Sequence, residues 1–511
     1  MNNHSHSHPH YTPHRQRMLW IILCIILQFT IFSVILAQFS QFFFSFYWIC
    51  VLVSILVSLY ISTLDTRLAY KVAWVVPILL FPLIGGIMFL ISGGAKTPAH
   101  QKAETDQVFR DQLSPDMGSL DLLPWGADAM QQAWYLEHTA LCPVYTRTRT
   151  QYFPTGEEFF PAFLNDLSQA EHYIFLEYFI IAEGSMWSEI LDLLTEKVKA
   201  GVDVRVIYDG IGSAATLPDN YPLILRERGI RCHTFQPFRP VLNIRQNNRD
   251  HRKICSIDGK VGYVSGLNLA DEYIGRLKRF GYWKDNALRL HGDAVWSLTI
   301  FFLTMWDDHG PRPDYSRFRP QRPLPAWDGG GLVAPYVDTP LPEDTTCADL
   351  FLQMITKAKR YLYITTPYLI IDESITAALT TAARSGVDVR IMTPHIPDKK
   401  LVFAVTRSNY PALMRSGVRI YEFLPGFIHS KTLVADDLYA TVGSCNLDYR
   451  SFYLQFENGV WLYGDPAVLE VRNDFLQSSE NCQEVELDDF RDLSLFRRLL
   501  WSIFRLFSPL F

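Results

Sequence analysis

The octapeptide His251-Arg252-Lys253-Ile254-Cys255-Ser256-Ile257-Asp258 returns 178 residues later as His429-Ser430-Lys431-Thr432-Leu433-Val434-Ala435-Asp436. Both read His-x-Lys-x4-Asp. Ten residues after each Asp stands an Asn, in Ser265-Gly266-Leu267-Asn268 and in Gly443-Ser444-Cys445-Asn446. Outside the octapeptides the copying continues. Ala200-Gly-Val-Asp-Val-Arg205 recurs 185 residues on as Ser385-Gly-Val-Asp-Val-Arg390, and Gly229-Ile-Arg231 recurs 188 residues on as Gly417-Val-Arg419. Offsets this close mean an internal duplication.

Each copy sits in an α/β pattern. Tyr173–Ile181 (YIFLEYFII) reads as a buried strand, Ser188–Lys199 has helical spacing, and Val202–Tyr208 (VDVRVIY) is a second strand. Strand–helix–strand order predicts an α/β layer fold with parallel pairing. Two such halves are expected to pack about a pseudo-twofold axis with a cleft between them. The expected boundaries are a linker over 96–150, a first domain over 151–306, a Pro/Gly/Asp-rich linker over 307–340, and a second domain over 341–490.

On a strand, residues two apart share a face, so each His and its Lys are expected to project together. Two His, two Lys and two Asn converging in the cleft make an anion site with two titratable groups. That composition suits phosphoryl chemistry: Lys253, Lys431, Asn268 and Asn446 hold phosphate oxygens while one His attacks and the other handles a proton. No metal is expected, because Lys is not a ligand, carboxylates do not cluster with the His, and no CxxC pair occurs.

The N-terminal region has a different character. No charged residue occurs between Arg17 and Asp65, a run of 47. At about 20 residues per crossing this predicts two membrane helices, near 18–37 and 42–61, split by Gln38-Phe39-Ser40-Gln41. A third uncharged run, 72–95, carries Pro77, Pro82, Gly85, Gly86, Gly93 and Gly94, and is expected to cross as a kinked helix or to re-enter. The opening His-Ser-His-Ser-His-Pro-His is expected to be a disordered tail. At the other end, 491–511 is expected to form an amphipathic helix with Arg497, Arg498 and Arg505 flanking an apolar face, suited to an anionic bilayer.

The 511 residues carry 47 Lys+Arg against 53 Asp+Glu, a net charge of −6. Without a global basic field or a basic, aromatic-interleaved stripe, a nucleic-acid partner is not expected. Eight scattered Cys make no disulfide scaffold.

The paired motifs resemble those of the phospholipase D superfamily. A longer match is to bacterial cardiolipin synthases within it. It runs through Asp250-His-Arg-Lys-Ile, Asp271-Glu-Tyr273, Phe280-Gly-Tyr-Trp-Lys-Asp285, Phe427-Ile-His-Ser-Lys431, Phe452-Tyr-Leu-Gln-Phe-Glu457 and the closing Phe504-Arg-Leu-Phe-Ser-Pro-Leu510. Two departures stand out: Ser265-Gly266 where the pattern has Gly first, and an N-terminal hairpin longer than in many relatives.

The resemblance implies a phosphatidyl-histidine intermediate, with His251 as nucleophile and His429 as acid/base. The symmetry of the copies leaves those two roles exchangeable. The resemblance counts Asp258 and Asp436 in the catalytic motif, although their position reads as support for its turn. It adds Ser444 to the phosphate-binding set. It also implies a carboxylate to orient each His: Glu457, 28 residues after His429, and its first-half match Asp285.

The implied reaction converts two phosphatidylglycerols into cardiolipin and glycerol in a bacterial inner membrane, by a multi-pass protein with the bilayer as partner. No cofactor is implied, since exchanging one phosphodiester for another needs no nucleotide. The alternatives are a phospholipase D-type hydrolase, a transferase with another phospholipid donor, a superfamily nuclease, and a non-catalytic membrane scaffold. The completeness of both motifs argues against the scaffold.

Overall fold

The computed structural model of the chain describes residues 13–38, 40–64, 66–92, 99–114, 118, 120–237, 248–307, 314–320, 330–340 and 345–508. The described residues up to Ser92 form one compact unit and those from Ala99 onward a second. The His-rich opening lies outside them.

In the first unit, apolar sequence of high helix length gives helices Pro13–Gln38, Ser40–Thr63, Leu68–Leu80 and Pro82–Ser92. Among the described residues one stretch, Phe44–Thr63, is long and apolar enough to cross a bilayer; Ile22–Val34 and Leu68–Leu80 are shorter. The run expected over 72–95 is broken in two. Phe81 (φ −130°, ψ 73°) leaves the helical region just before Pro82, because the proline ring crowds an α-helical predecessor. Residues 93–95 lie outside the described residues.

Among the described residues the second unit holds two large sheets and two small two-stranded ones. The first draws on β1 (Thr148–Phe153), β2 (Tyr173–Tyr178), β3 (Asp203–Asp209), β4 (Arg231–Phe235), β6 (Lys253–Ile257), β7 (Val261–Ser265) and β9 (Ala287–Gly292). Between these in the chain lie two short strands, β5 (Arg249–Asp250) and β8 (Tyr282–Lys284). The second draws on β10 (Leu332–Asp338), β11 (Tyr361–Thr365), β13 (Asp388–Pro394), β14 (Arg419–Phe423), β16 (Thr432–Ala435), β17 (Tyr439–Gly443), β19 (Gln455–Tyr463) and β20 (Cys482–Glu484). Again short strands intervene: β12 (Leu369–Ile370), β15 (Gly426–Ile428) and β18 (Leu447–Asp448).

Strand order is β1-β9-β7-β6-β2-β3-β4 in the first sheet and β10-β19-β17-β16-β11-β13-β14-β20 in the second. Position by position the two orders coincide, with β20 added at one edge. Along these two strand orders pairing is parallel only within β2–β3–β4 and β11–β13–β14; the motif strands β6 and β16 pair antiparallel with their neighbours. The expectation of parallel pairing is corrected to that extent. The motif strands join by short turns, which only antiparallel neighbours allow.

Both linker regions hold regular elements, and the first was expected to carry some helix. Ala127–His138 is a helix whose Ala129, Ala133 and Leu136, one stripe at helical spacing, are fully buried. Within 307–340, β10 is a wholly buried strand paired with β19. The helix Val295–Asp307 buries Ile300, Phe301, Phe302 and Leu303 completely. Apolar on all sides, it is a core helix, sharing one hydrophobic cluster with residues of both halves.

Candidate active site

The two motifs have the same local build. Asp258 and Asp436 take left-handed backbone (φ 54° and 58°) at the turns leaving β6 and β16. Asp tolerates that conformation because its short polar side chain bonds locally. The Asp258 carboxylate accepts the backbone N–H groups of Glu171, His172 and Tyr173, each at 2.8 Å. Asp436 accepts those of Lys359, Arg360 and Tyr361 at 2.7, 2.8 and 3.0 Å. Both therefore hold the starts of β2 and β11, about 16 Å of strand from the His end of the motif. Each carboxylate is thus bonded to backbone at a strand start.

The His and Lys stand where each motif strand begins. His251 lies between β5 and β6, and His429 follows β15, so neither is inside a regular strand. The Lys side chains fold back instead of running beside the His. Lys253 Nζ donates to the His251 carbonyl at 2.6 Å, and Lys431 Nζ donates to the His429 carbonyl.

The orienting carboxylates sit on the opposite halves. β5 pairs in parallel with the start of β19, and the His251 N–H donates to the Phe456 carbonyl at 2.9 Å. The next residue, Glu457, then places both carboxylate oxygens 3.0 Å from His251 Nδ1. Reciprocally, β15 pairs with β8, the His429 N–H donates to the Lys284 carbonyl at 2.7 Å, and Asp285 lies 2.6 Å from His429 Nδ1. The expectation that each carboxylate serves the His of its own half is corrected. Cross-half strand pairs, too short to be read from sequence, exchange them. A carboxylate that accepts a hydrogen bond from Nδ1–H leaves the Nε2 lone pair available.

The small residues after β7 and β17 support these carboxylates. Ser444 Oγ donates to Glu457 and accepts the Asn458 N–H at 2.9 Å, so it positions the carboxylate. Its counterpart Gly266 leaves room for Asp285, since a Cβ there would lie 2.2 Å from Oδ1. Both Asn side chains have protein partners. Asn268 accepts the Ile180 N–H at 3.0 Å and donates to Tyr273 at 2.6 Å, while Asn446 donates to Ser451 at 3.2 Å.

One contributor escaped the sequence reading. Asn458 accepts the Lys253 N–H at 2.9 Å and donates to its carbonyl at 3.3 Å, clamping the first motif onto the second half. The repeated acid–Asn pairs, Asp285-Asn286 and Glu457-Asn458, were the available signal. Arg252 adds to the clamp, donating to the Glu457 and Asp338 carbonyls at 3.3 Å.

Electrostatics follow from burial. His251, Lys253, Asp285, His429, Lys431 and Glu457 are all buried. Burial and then the neighbouring cations push His251 well below the usual imidazole value. Burial and Lys431 bring His429 down to about 4, against the opposing pull of Asp285. Burial brings Lys253 down to about 7 and Lys431 to about 8. The two carboxyls diverge. Burial holds Glu457 well above the ordinary range, whereas on Asp285 the same burial is outweighed by Lys431 and His429, which keep it low. Among the described residues no cluster of three or more His, Cys, Asp or Glu is arranged to hold a metal.

Two α/β halves that share one site of paired His and Lys define a phospholipase D-like protein. The family model described as "Cardiolipin synthase, PLD-like domain" matches residues 163–278 and 351–478. A cardiolipin synthase of Geobacillus sp. (strain WCH70) is 36% identical over 86% of this chain and 89% of its own. A cardiolipin synthase 2 of Bacillus cereus is 40% identical over 71% of each. An uncharacterized protein of Streptococcus mutans is 39% identical over 86% of this chain and 96% of its own. In fold, the crystal structure of phosphatidylserine synthase from Haemophilus influenzae is similar over 75% of this chain and 98% of that one, with TM-score 0.58 at 15% identity. The chain belongs to the cardiolipin synthase family. It is accordingly a phosphatidyltransferase.

Proposed function

We propose that the protein makes cardiolipin from two phosphatidylglycerols through a covalent phosphatidyl-His251. The relatives named cardiolipin synthase support that product. The observation that carries the mechanism is the reciprocal pairing of His251 with Glu457 and of His429 with Asp285, around two buried lysines.

Nε2 of His251 attacks phosphorus, and the bond to the glycerol oxygen breaks as His429 passes it a proton. A terminal hydroxyl of the second phosphatidylglycerol then gives its proton to His429 and attacks phosphorus, breaking the P–N bond. Asp285, held ionised, supports the imidazolium this needs, which favours His429 as the acid/base. Lys253 and Lys431 supply positive charge to the non-bridging oxygens, with Asn268 and Asn446 beside them.

The halves are taken to run from β1 through Val295–Asp307 and from β10 through β20, and to be related by a pseudo-twofold axis. Helices Pro13–Gln38 and Ser40–Thr63 are taken as two crossings of the bacterial cell membrane, making the protein multi-pass.

The test supplies purified protein in liposomes with phosphatidylglycerol alone, with chelator and without nucleotide, and analyses products by mass spectrometry. Cardiolipin and glycerol, absent with His251→Ala and His429→Ala, are expected. Phosphatidic acid in place of cardiolipin would make the enzyme a hydrolase, and product only after adding phosphatidylethanolamine would change the donor.

A further inference from the structure

The C-terminal helix Leu495–Phe507 is joined to the second half through one edge. Trp501 packs on the buried Phe490 with ring centroids 6.2 Å apart, and the helix lies against Lys400–Met414. Its opposite face is uncovered: Leu495 is 84% exposed, Phe496 74%, Leu499 61% and Ile503 42%. These residues follow helical spacing, so they form one continuous apolar stripe.

Beside that stripe, between the two helices, lies a cavity of about 490 Å³. Arg415, Arg491, Arg498 and Arg505 line it together with Ser408 and Trp501, and among the described residues no carboxylate does. Arg491 is paired with Asp488 at 3.0 Å. Among the described residues no carboxylate is within ion-pair distance of Arg415, Arg498 or Arg505. Arg498 is steered by donating to the Arg491 carbonyl at 3.0 Å.

Three unneutralised guanidinium groups around one cavity make a positive potential that an anion relieves, and their planar forks match phosphate oxygens. A phosphate alone leaves the apolar stripe unexplained. A phospholipid explains both, with its phosphodiester in the cavity and its chains beside Leu499 and Ile503.

We propose that this cavity and helix bind an anionic phospholipid of the bilayer, at a site separate from the His251–His429 centre. The site docks the catalytic halves on membrane rich in the charged lipid. None of its residues belongs to the catalytic set, so this reading and the proposed reaction fail independently.

The test is hydrogen exchange on the full-length His251→Ala protein, which cannot consume its lipid, in nanodiscs of phosphatidylcholine with rising phosphatidylglycerol. Peptides covering 408–415 and 495–507 are expected to gain protection only as phosphatidylglycerol is added. Each of Arg415→Ala, Arg498→Ala and Arg505→Ala is expected to raise the half-maximal phosphatidylglycerol fraction about fivefold. Unchanged exchange in the β10 peptide confirms that each variant is folded. Protection equal in pure phosphatidylcholine, or produced there by inorganic phosphate alone, would overturn the proposal, as would arginine variants that titrate like the parent.

Discussion

His251 and Glu457 are 206 residues apart in sequence and 3.0 Å apart in space, and His429 and Asp285, 144 residues apart, meet at 2.6 Å. Each half supplies an imidazole to one dyad and a carboxylate to the other. Neither half alone therefore contains a complete dyad of this site.

Crossed dyads have a thermodynamic signature. Glu457→Gln and Asp285→Asn are each expected to lower kcat by about 10²–10⁴-fold, the range for removing the group that fixes a catalytic imidazole. Measured as double-mutant cycles, Glu457→Gln should couple strongly to His251→Ala, and Asp285→Asn to His429→Ala. Coupling within each half instead would contradict the geometry.

Gly266→Ala is expected to abolish turnover while leaving the fold intact. The new methyl would occupy space within 2.2 Å of the Asp285 carboxylate and push it off His429. Loss of kcat with little change in Tm checks this. Full activity would mean that Asp285 is dispensable where it stands.

The pH dependence follows from the lysines. Lys253 near 7 and Lys431 near 8 lie far below the ordinary lysine value, so in the free site they lose their charge as pH rises through that window. Phosphodiester binding favours the charged forms and takes up protons there. KM is expected to rise between about pH 7 and pH 9, more steeply than kcat falls. Steady-state kinetics across that range reads it; a flat KM would contradict it.

Asp258→Ala and Asp436→Ala test the structural assignment. Each carboxylate satisfies three backbone N–H groups, and removing it is expected to cost about 2–4 kcal/mol of stability, seen as a lowered Tm. Activity per folded molecule should change far less than in the His variants.

Much of this site was readable in the sequence because its signals are local. His-x-Lys-x4-Asp, the Asn ten residues on and the duplicated Gly-Val-Asp-Val-Arg strands all repeat within short windows. The exchange of Glu457 and Asp285 was not, because it depends on β5 pairing β19 and β15 pairing β8, short contacts between distant segments. The bond from Ser444 to Glu457 was hidden for a related reason, because only the fold brings the two together. The region 96–150 looked like a linker because its mean polarity hides the Ala129, Ala133 and Leu136 stripe that docks its helix.

On the proposed mechanism, one composite centre passes the phosphatidyl group through His251 while His429 moves the proton. Phosphatidyl-p-nitrophenol tests it most directly, because its leaving group needs no protonation. In the His429→Ala protein a burst of about one nitrophenolate per site is expected, with the phosphatidyl group found on His251 by peptide mass spectrometry. A label on His429 in the His251→Ala protein, with none in His429→Ala, would contradict it.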